Sequence, residues 1–152
     1  MNRFIYLFVS LSVFSAEACK DKRCISQLRN KSEPAQLLIF VSSSMPKDSL
    51  KTLHKQSQRV QGKLIFRGLI KNSFRDTHAY FREVQIEADI DPPAFDDYKI
   101  ERVPTFVLRK GKTYDRLEGH ISLIAVLDIM KERGELQQDA KHLADNLKRK
   151  GT

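Results

Sequence analysis

The sequence predicts an α/β fold in which a central mixed sheet is flanked by helices. Apolar runs of strand length alternate along the chain with segments whose apolar residues recur at helical spacing. The first two strands are joined through a helix and are therefore expected to be parallel, whereas the next two are joined by a short turn and should form a hairpin. A further helix closes this pattern, which is typical of one layered α/β domain.

The first half of the domain is predicted as strand, helix, strand. Residues 36–41 (QLLIFV) form a continuous apolar run, as in strands that are buried on both faces of a sheet. Lys47–Val60 follows Pro46 and has apolar residues at helical spacing, so we expect an amphipathic helix that Gly62 ends. Residues 63–67 (KLIFR) form the second strand.

The second half is predicted as helix, loop, hairpin and helix. Asn72 and Ser73 are suitable residues to begin the next helix. Residues 88–100 contain two adjacent prolines, which cannot lie inside a helix, so we expect a structured loop with at most one turn. Residues 103–108 and 113–118 form the hairpin, and the last helix of the domain begins near Ile121.

The N-terminus has the pattern of a secretory signal peptide. Residues 1–18 contain one cation, an apolar run too short to span a membrane, and small residues at the two A-x-A positions. Cleavage is therefore expected between Ala18 and Cys19. A lipoprotein signal is the alternative because Cys19 follows the site, but Glu17 does not fit a lipobox. We expect an exported chain without a membrane-spanning segment.

The two cysteines, Cys19 and Cys24, lie together at the start of the exported chain. Disulfides persist outside the cytoplasm, and four intervening residues leave a loop that could close, so a local structural disulfide is our first interpretation. A redox-active pair usually has two intervening residues at a helix start. The spacing also permits a bond to a partner protein.

The sequence gives little support to serine catalysis, calcium binding or nucleic-acid binding. A nucleophilic serine among Ser42, Ser43 and Ser44 would need a base within reach, and the four histidines are scattered along the sequence. The turn serines are instead expected to satisfy backbone N–H groups at the helix start. The carboxylates of residues 89–97 lack the spacing of a calcium loop, and the net charge of +8 is spread without a basic strip that alternates with aromatics. We expect no metal, no cofactor, no small-molecule substrate and no nucleic acid.

Residues 103–122 (VPTFVLRKGKTYDRLEGHIS) resemble the second half of a thioredoxin, with a proline that opens a strand, a Gly-containing turn, a return strand and the last helix. The same resemblance aligns residues 40–48 (FVSSSMPKD) with the turn that carries C-x-x-C in oxidoreductases of that fold. Met45 and Asp48 then occupy the cysteine positions. The resemblance implies a three-layer thioredoxin-like fold with a cis Pro104 that faces this turn. Without a thiol, the turn cannot perform dithiol exchange.

Four segments in order resemble the TrbC family of pilus-assembly proteins of F-type conjugation systems. They are LLIFVSSSMP, IFRGLI, IDPPAFDDYKIERVPTFVL and LEGHISL, and the resemblance covers roughly residues 36–130. It implies a periplasmic, non-enzymatic component of a type IV secretion apparatus that is needed for pilus assembly. It also implies association with a TraW-type protein, on a separate chain, and with other envelope components.

The resemblance places the expected partner-binding groove between the turn and the proline loop. Its residues would be Ser42, Ser43, Ser44, Met45, Val103, Pro104 and Thr105. The expected organisation is a signal peptide (1–18), an extension with the cysteine pair (19–34), the thioredoxin-like domain (35–133) and a charged C-terminal helix or tail (134–152). The alternative function is a periplasmic thiol-disulfide oxidoreductase or isomerase that uses Cys19 and Cys24.

Overall fold

The computed structural model describes residues 33–149. The strands are β1 (Gln36–Val41), β2 (Lys63–Phe66), β3 (Asp89–Ile90), β4 (Thr105–Lys110) and β5 (Thr113–Glu118). The helices are α1 (Lys47–Arg59), α2 (Phe74–Val84), α3 (Pro92–Asp97), α4 (Leu123–Arg133) and α5 (Gln137–Arg149), with a 3₁₀ turn at Ile70–Asn72. The predicted signal peptide, its cleavage site at Ala18–Cys19 and the pair Cys19 and Cys24 lie outside the described residues and stay predictions.

The five strands form one mixed sheet in the order β3-β2-β1-β4-β5. β1 is parallel to β2 and antiparallel to β4, so that Ile39 lies between Leu64 on one side and Phe106 on the other. β4 and β5 form the predicted hairpin. β1 is central in the sheet, and its apolar residues 37–41 are all buried. The strand is therefore covered on both faces, as its sequence predicts.

The two faces of the sheet are covered by different helices, which makes three layers. Leu37, Ile39 and Val41 point to one face and pack with apolar side chains of α1, α2, α4 and α5. Leu38 and Phe40 point to the other face, where Phe40 meets the ring of Phe95 edge-on at 4.9 Å between centroids. Complete burial of a side chain such as Phe40 contributes about 1.5–3 kcal/mol relative to exposure.

Gly62 does not end α1, contrary to the prediction. Val60 is the C-cap residue, Gln61 takes the left-handed conformation with φ of 55°, and the Gly62 amide donates to the Ser57 carbonyl at 2.8 Å. Close packing favours glycine at position 62, because a Cβ there would lie 3.3 Å from the side chain of Leu37.

The two adjacent prolines begin a helix, whereas the sequence had predicted a loop. Pro92 and Pro93 are the first residues of α3, where the N–H groups they lack would have no partner inside the helix. The Asp91 side chain caps this helix by accepting a hydrogen bond from the Ala94 amide at 3.1 Å. The helix carries Phe95 into the core, which closes the second face of the sheet.

The C-terminal helix α5 is part of the same core, although the sequence placed residues 134–152 outside the domain. Its buried side consists of Ala140, Leu143, Ala144 and Leu147, all in the cluster that covers the first face of the sheet. α5 packs against α4, and Lys110 in β4 pairs with Asp139 at 2.9 Å. The packed domain therefore extends to Arg149.

Candidate functional site

The turn after β1 is built by its own serines. The Met45 amide donates to the Ser42 carbonyl at 3.1 Å, and the Ser44 amide and hydroxyl donate to the Ser42 hydroxyl at 3.2 and 3.1 Å. The N-cap of α1 is Pro46, and no side chain caps this helix. The prediction that a serine hydroxyl caps the helix is therefore wrong, because these hydroxyls bond within the turn.

Helix α2 contacts the turn through Tyr80. Its hydroxyl donates to the Ser43 carbonyl at 3.4 Å, and its ring lies 5.9 Å from the ammonium of Lys47 at the start of α1. Lys47 also pairs with Glu83, and this hydrogen bond raises the pKa of Lys47 above its usual range. Partial burial raises the pKa of Tyr80. At neutral pH Lys47 is thus a cation and Tyr80 a neutral hydrogen-bond donor.

The proline loop lies beside this turn. The Val103–Pro104 bond is cis, and the Pro104 carbonyl accepts a hydrogen bond from the Gly119 amide at 3.1 Å. A depression of about 370 Å³ is lined by Met45, Leu53, Pro104, His120 and Ile121 together with polar residues of α1. We call this depression the groove.

The sequence-predicted groove residues are only partly at the surface. Ser43 and Ser44 are exposed, and Ser42 and Val103 are half-buried. Met45 is 8% exposed and belongs to the core cluster, so only an edge of its side chain reaches the groove. Thr105 is 1% exposed and its hydroxyl donates to the Arg102 carbonyl, so it belongs to the core and not to a binding surface.

Ile121 and His120 are groove residues that the sequence did not identify. The sequence pattern predicts that the last helix begins near Ile121, but α4 begins at Leu123 and the Ser122 hydroxyl accepts a hydrogen bond from the Ala125 amide at 3.4 Å. Ile121 therefore stays outside the core and is 38% exposed. Ser122 was the available signal, since serine is a preferred N-cap residue.

Within residues 33–149, the turn serines and the histidines make no hydrogen bonds to one another. Within residues 33–149, the one histidine ring found in a hydrogen bond is that of His142, which pairs with Asn146 at 3.4 Å. His54 is buried within α1. The turn serines bond to each other and not to a base.

The acidic residues of 89–97 have structural partners. Asp91 caps α3, and Asp89 pairs with Lys63 at 2.8 Å. In the described part of the chain, no three His, Cys, Asp or Glu side chains are grouped so that they could hold a metal ion. No helix in the same part has the length and apolar character to cross a membrane.

Solved structures with similar folds are thioredoxin-like. The pneumococcal exposed lipoprotein thioredoxin Etrx1 from Streptococcus pneumoniae aligns with a TM-score of 0.52 at 16% identity, covering 71% of this chain and 90% of that one. The N-terminal domain of PilB from N. meningitidis aligns with a TM-score of 0.50 at 12% identity, covering 84% and 88%. At these identities the likeness shows the fold alone, and it confirms the predicted thioredoxin-like architecture.

The family model of the type-F conjugative transfer system pilin assembly protein, TrbC, matches residues 39–130. The chain belongs to this family, as the four segments had predicted. A curated relative, the periplasmic protein TrbC of Escherichia coli strain K12, is 27% identical over 135 residues, which cover 81% of this chain. The alignment spans 64% of that relative, which is the longer protein.

Proposed function

We propose that this protein is a periplasmic assembly factor for the pilus of a type-F conjugative transfer system and that it acts by binding a protein partner, without catalysing a reaction. Family membership over residues 39–130 is the observation that carries the proposal. A periplasmic location is supported by the name of the curated relative and by the signal-peptide pattern of residues 1–18.

The structure of the turn supports a binding role over a redox role. A dithiol enzyme of this fold needs a reactive thiolate at the helix start, and the family resemblance aligns Met45 and Asp48 with the two cysteine positions. Met45 is largely buried and packs with the core, so it stabilises the turn instead of presenting a nucleophile. The depression beside it, the groove, is where we propose that an extended peptide binds.

The groove offers both apolar and backbone contacts to a partner. Ile121 and the edge of Met45 provide apolar surface beside Pro104. Among the backbone hydrogen bonds that the described residues make outside helices and strands, none involves Val103. Val103 precedes Pro104 and lines the neighbouring depression, and we propose that its backbone pairs with an extended segment, as in strand addition to a sheet. We propose that a TraW-type protein of the same transfer system supplies this segment.

The test compares two isoleucines with the same exposure. Ile121 in the groove and Ile129 on α4 are both 38% exposed, so aspartate at either position should affect folding to a similar, small degree. We expect Ile121→Asp to abolish co-purification with the TraW-type protein and to prevent pilus formation in donor cells. Ile129→Asp should retain both. Circular dichroism and thermal unfolding of the two variants control for folding.

Equal behaviour of the two folded variants would contradict the groove as the binding surface. Loss of pili with retained co-purification would instead show that the groove serves another component of the transfer apparatus. Pilus formation by a donor strain that lacks this gene altogether would contradict the proposed role in assembly.

A further inference from the structure

Strand β5 lies at one edge of the sheet. The strand order within residues 33–149 is β3-β2-β1-β4-β5, so β5 pairs with β4 on one side and the described residues place no strand on its other side. The opposite edge is β3, which has two residues, whereas β5 has six. β5 is therefore the longer of the two edges that an additional strand can join.

The register of the hairpin shows which backbone groups of β5 point outwards. The Gly119 amide, directly after the end of β5, donates to the Pro104 carbonyl at 3.1 Å. Hydrogen-bonded and non-hydrogen-bonded pairs alternate along an antiparallel ladder, so every second residue of β5 directs its N–H and C=O away from β4. These outward-pointing residues are Tyr114, Arg116 and Glu118.

The side chains of these residues are exposed on one face of the edge. Nη1 of Arg116 donates to the carbonyls of Tyr98 and Lys99 at 3.0 and 2.8 Å, which holds the guanidinium in place and leaves Nε and Nη2 as further donors. Glu118 is exposed and takes part in none of the ion pairs within residues 33–149. The edge thus presents one cation and one anion, two residues apart on the same face.

Three symmetric registers pair at least two of the outward-pointing residues with those of a second, antiparallel copy of β5. Two-fold axes at Asp115 or Arg116 place that charged residue opposite its own copy, and like charges directly opposite each other are destabilising. An axis at Leu117 places Arg116 of each copy opposite Glu118 of the other. It also places the two copies of Leu117 opposite each other. This register alone combines opposite charges with an apolar pair.

We propose that the protein forms a dimer by antiparallel pairing of β5 with β5 of a second copy, in the register whose two-fold axis passes Leu117. The pairing adds two ion pairs between Arg116 and Glu118 and joins the two sheets into one. An interface of this symmetry is closed, because each copy contributes its one long edge. The inference goes beyond the proposed function, since binding in the groove does not require a second copy.

The test is an exchange of charges, measured by sedimentation velocity of the exported protein. Reductant is present, so that a disulfide through Cys19 or Cys24 cannot join two copies. We expect the wild-type protein to sediment as a dimer at about 100 μM. Arg116→Glu and Glu118→Arg each place like charges opposite one another, so each alone should raise the dimer dissociation constant at least about tenfold.

An equal mixture of the two variants is the decisive measurement. An Arg116→Glu chain paired with a Glu118→Arg chain has a glutamate opposite an arginine at both positions, so the mixture should sediment as a dimer although neither variant does alone. A chain with both substitutions should also dimerise. It lacks the contacts of Arg116 with Tyr98 and Lys99, as Arg116→Glu does, so recovery cannot come from those contacts.

Arg82→Glu is the control, because it makes the same change in charge on α2. The neighbouring Phe81 packs on Phe66 of β2, which β1 and β4 separate from β5. This variant should sediment as the wild-type protein does, and circular dichroism of all variants controls for folding.

Hydrogen exchange of the wild-type protein gives a second readout without any substitution. The amides of Arg116 and Glu118 point away from β4, so their protection should rise with protein concentration. The amides of Asp115 and Leu117 point towards β4 and should be protected at every concentration.

A wild-type protein that stays monomeric at about 100 μM would overturn the inference and leave the proposed function standing, because Ile121→Asp tests the groove separately. A dimer that both single variants retain, or a mixture of them that stays monomeric, would also overturn it, since the copies would not meet as proposed. Protection of the Arg116 and Glu118 amides by the TraW-type protein, without any dimer, would show that the edge binds a different chain and that the inference is wrong.

Discussion

Asp115 in β5 accepts a hydrogen bond from the backbone amide of Leu136 at 2.9 Å, and its second oxygen accepts from the Glu135 amide at 2.7 Å. One carboxylate thus satisfies two amides at the connection between α4 and α5. Gly134 makes this arrangement possible, because a Cβ there would lie 2.4 Å from an Asp115 carboxylate oxygen and 2.6 Å from the Met130 carbonyl.

Gly134→Ala should therefore lower the free energy of unfolding by about 1–3 kcal/mol, since the carboxylate must move away from the amides it satisfies. Gly68→Ala is the control, because a Cβ at Gly68 would meet no atom within 4 Å. Urea unfolding of the two variants measures the difference. If both variants have the same midpoint, the contact between Asp115 and the α4–α5 connection does not stabilise the domain.

Met45→Lys should destabilise the domain, whereas Ser43→Lys should be tolerated. Met45 is 8% exposed within the core cluster, and burying a charge there costs several kcal/mol, so we expect a loss of about 2–4 kcal/mol. Ser43 is exposed, and it contacts Tyr80 through its backbone carbonyl. A lysine side chain at this position does not remove that hydrogen bond. Thermal unfolding of each single variant measures this, and near-native stability of Met45→Lys would show that the side chain can turn outwards.

Asp128 links the two C-terminal helices, since its carboxylate pairs with Lys131 in α4 at 2.9 Å and with Lys148 in α5 at 3.5 Å. The hydrogen bond from Lys131 is the main reason that the pKa of Asp128 is lowered. A carboxyl whose pKa is lowered by folding stabilises the folded state above its unfolded pKa of about 3.9 and loses this contribution as pH falls through the folded value.

Asp128→Asn should therefore lower the melting temperature slightly at pH 7, by an amount that shrinks as the pH falls through the lowered pKa of Asp128. The pair is solvent-accessible, so the difference should also shrink in about 1 M NaCl. Asp97→Asn, at an exposed position of α3, is the control. A melting-temperature difference for Asp128→Asn that persists after the Asp128 carboxyl has been protonated, as followed by NMR titration, would show that the charge is not its source.

Cys24→Ser should leave pilus formation largely intact. If Cys19 and Cys24 form a local disulfide, the short loop restricts few unfolded conformations, and its loss should cost about 3 kcal/mol or less. Insulin reduction by the exported protein, with and without this substitution, tests the thiol-disulfide alternative. Reductase activity that depends on Cys24, or complete loss of pili with a folded and abundant variant, would favour redox chemistry over a binding role.

The parallel pair of β1 and β2 and the β4–β5 hairpin could be predicted, because residues 37–41 are apolar and the Gly-containing turn between β4 and β5 is short. The packing of α5 against the core could not be predicted, because two of its four buried positions are the alanines Ala140 and Ala144. Alanine gives little periodic signal but lets the helix approach α4 closely. Similarly, two prolines indicate a loop unless they fall at the first helical positions, as Pro92 and Pro93 do.

Of the residues that the family resemblance placed together, Met45 and Pro104 line the groove, and partner binding there stays a prediction. The burial of these residues could not be predicted, because the sequence does not show that Met45 points into the core or that Thr105 is covered. The depression lined by Val41, Phe66, Ile70 and Ile100 combines β1, β2 and two loops that are distant in sequence. Such a surface depends on how these segments pack and carries no local motif.

The most direct test of a partner-binding turn is photo-crosslinking in donor cells that make pili. A photoreactive amino acid replaces either Ser44, which is exposed in the turn, or Ile129. Ile129 is also exposed, but it lies on α4 and does not line the groove. We expect irradiation to join position 44, and not position 129, to the TraW-type protein, with the crosslinked peptide identified by mass spectrometry. Crosslinking to that protein from position 129 but not from position 44, in cells that still assemble pili, would contradict binding at the turn.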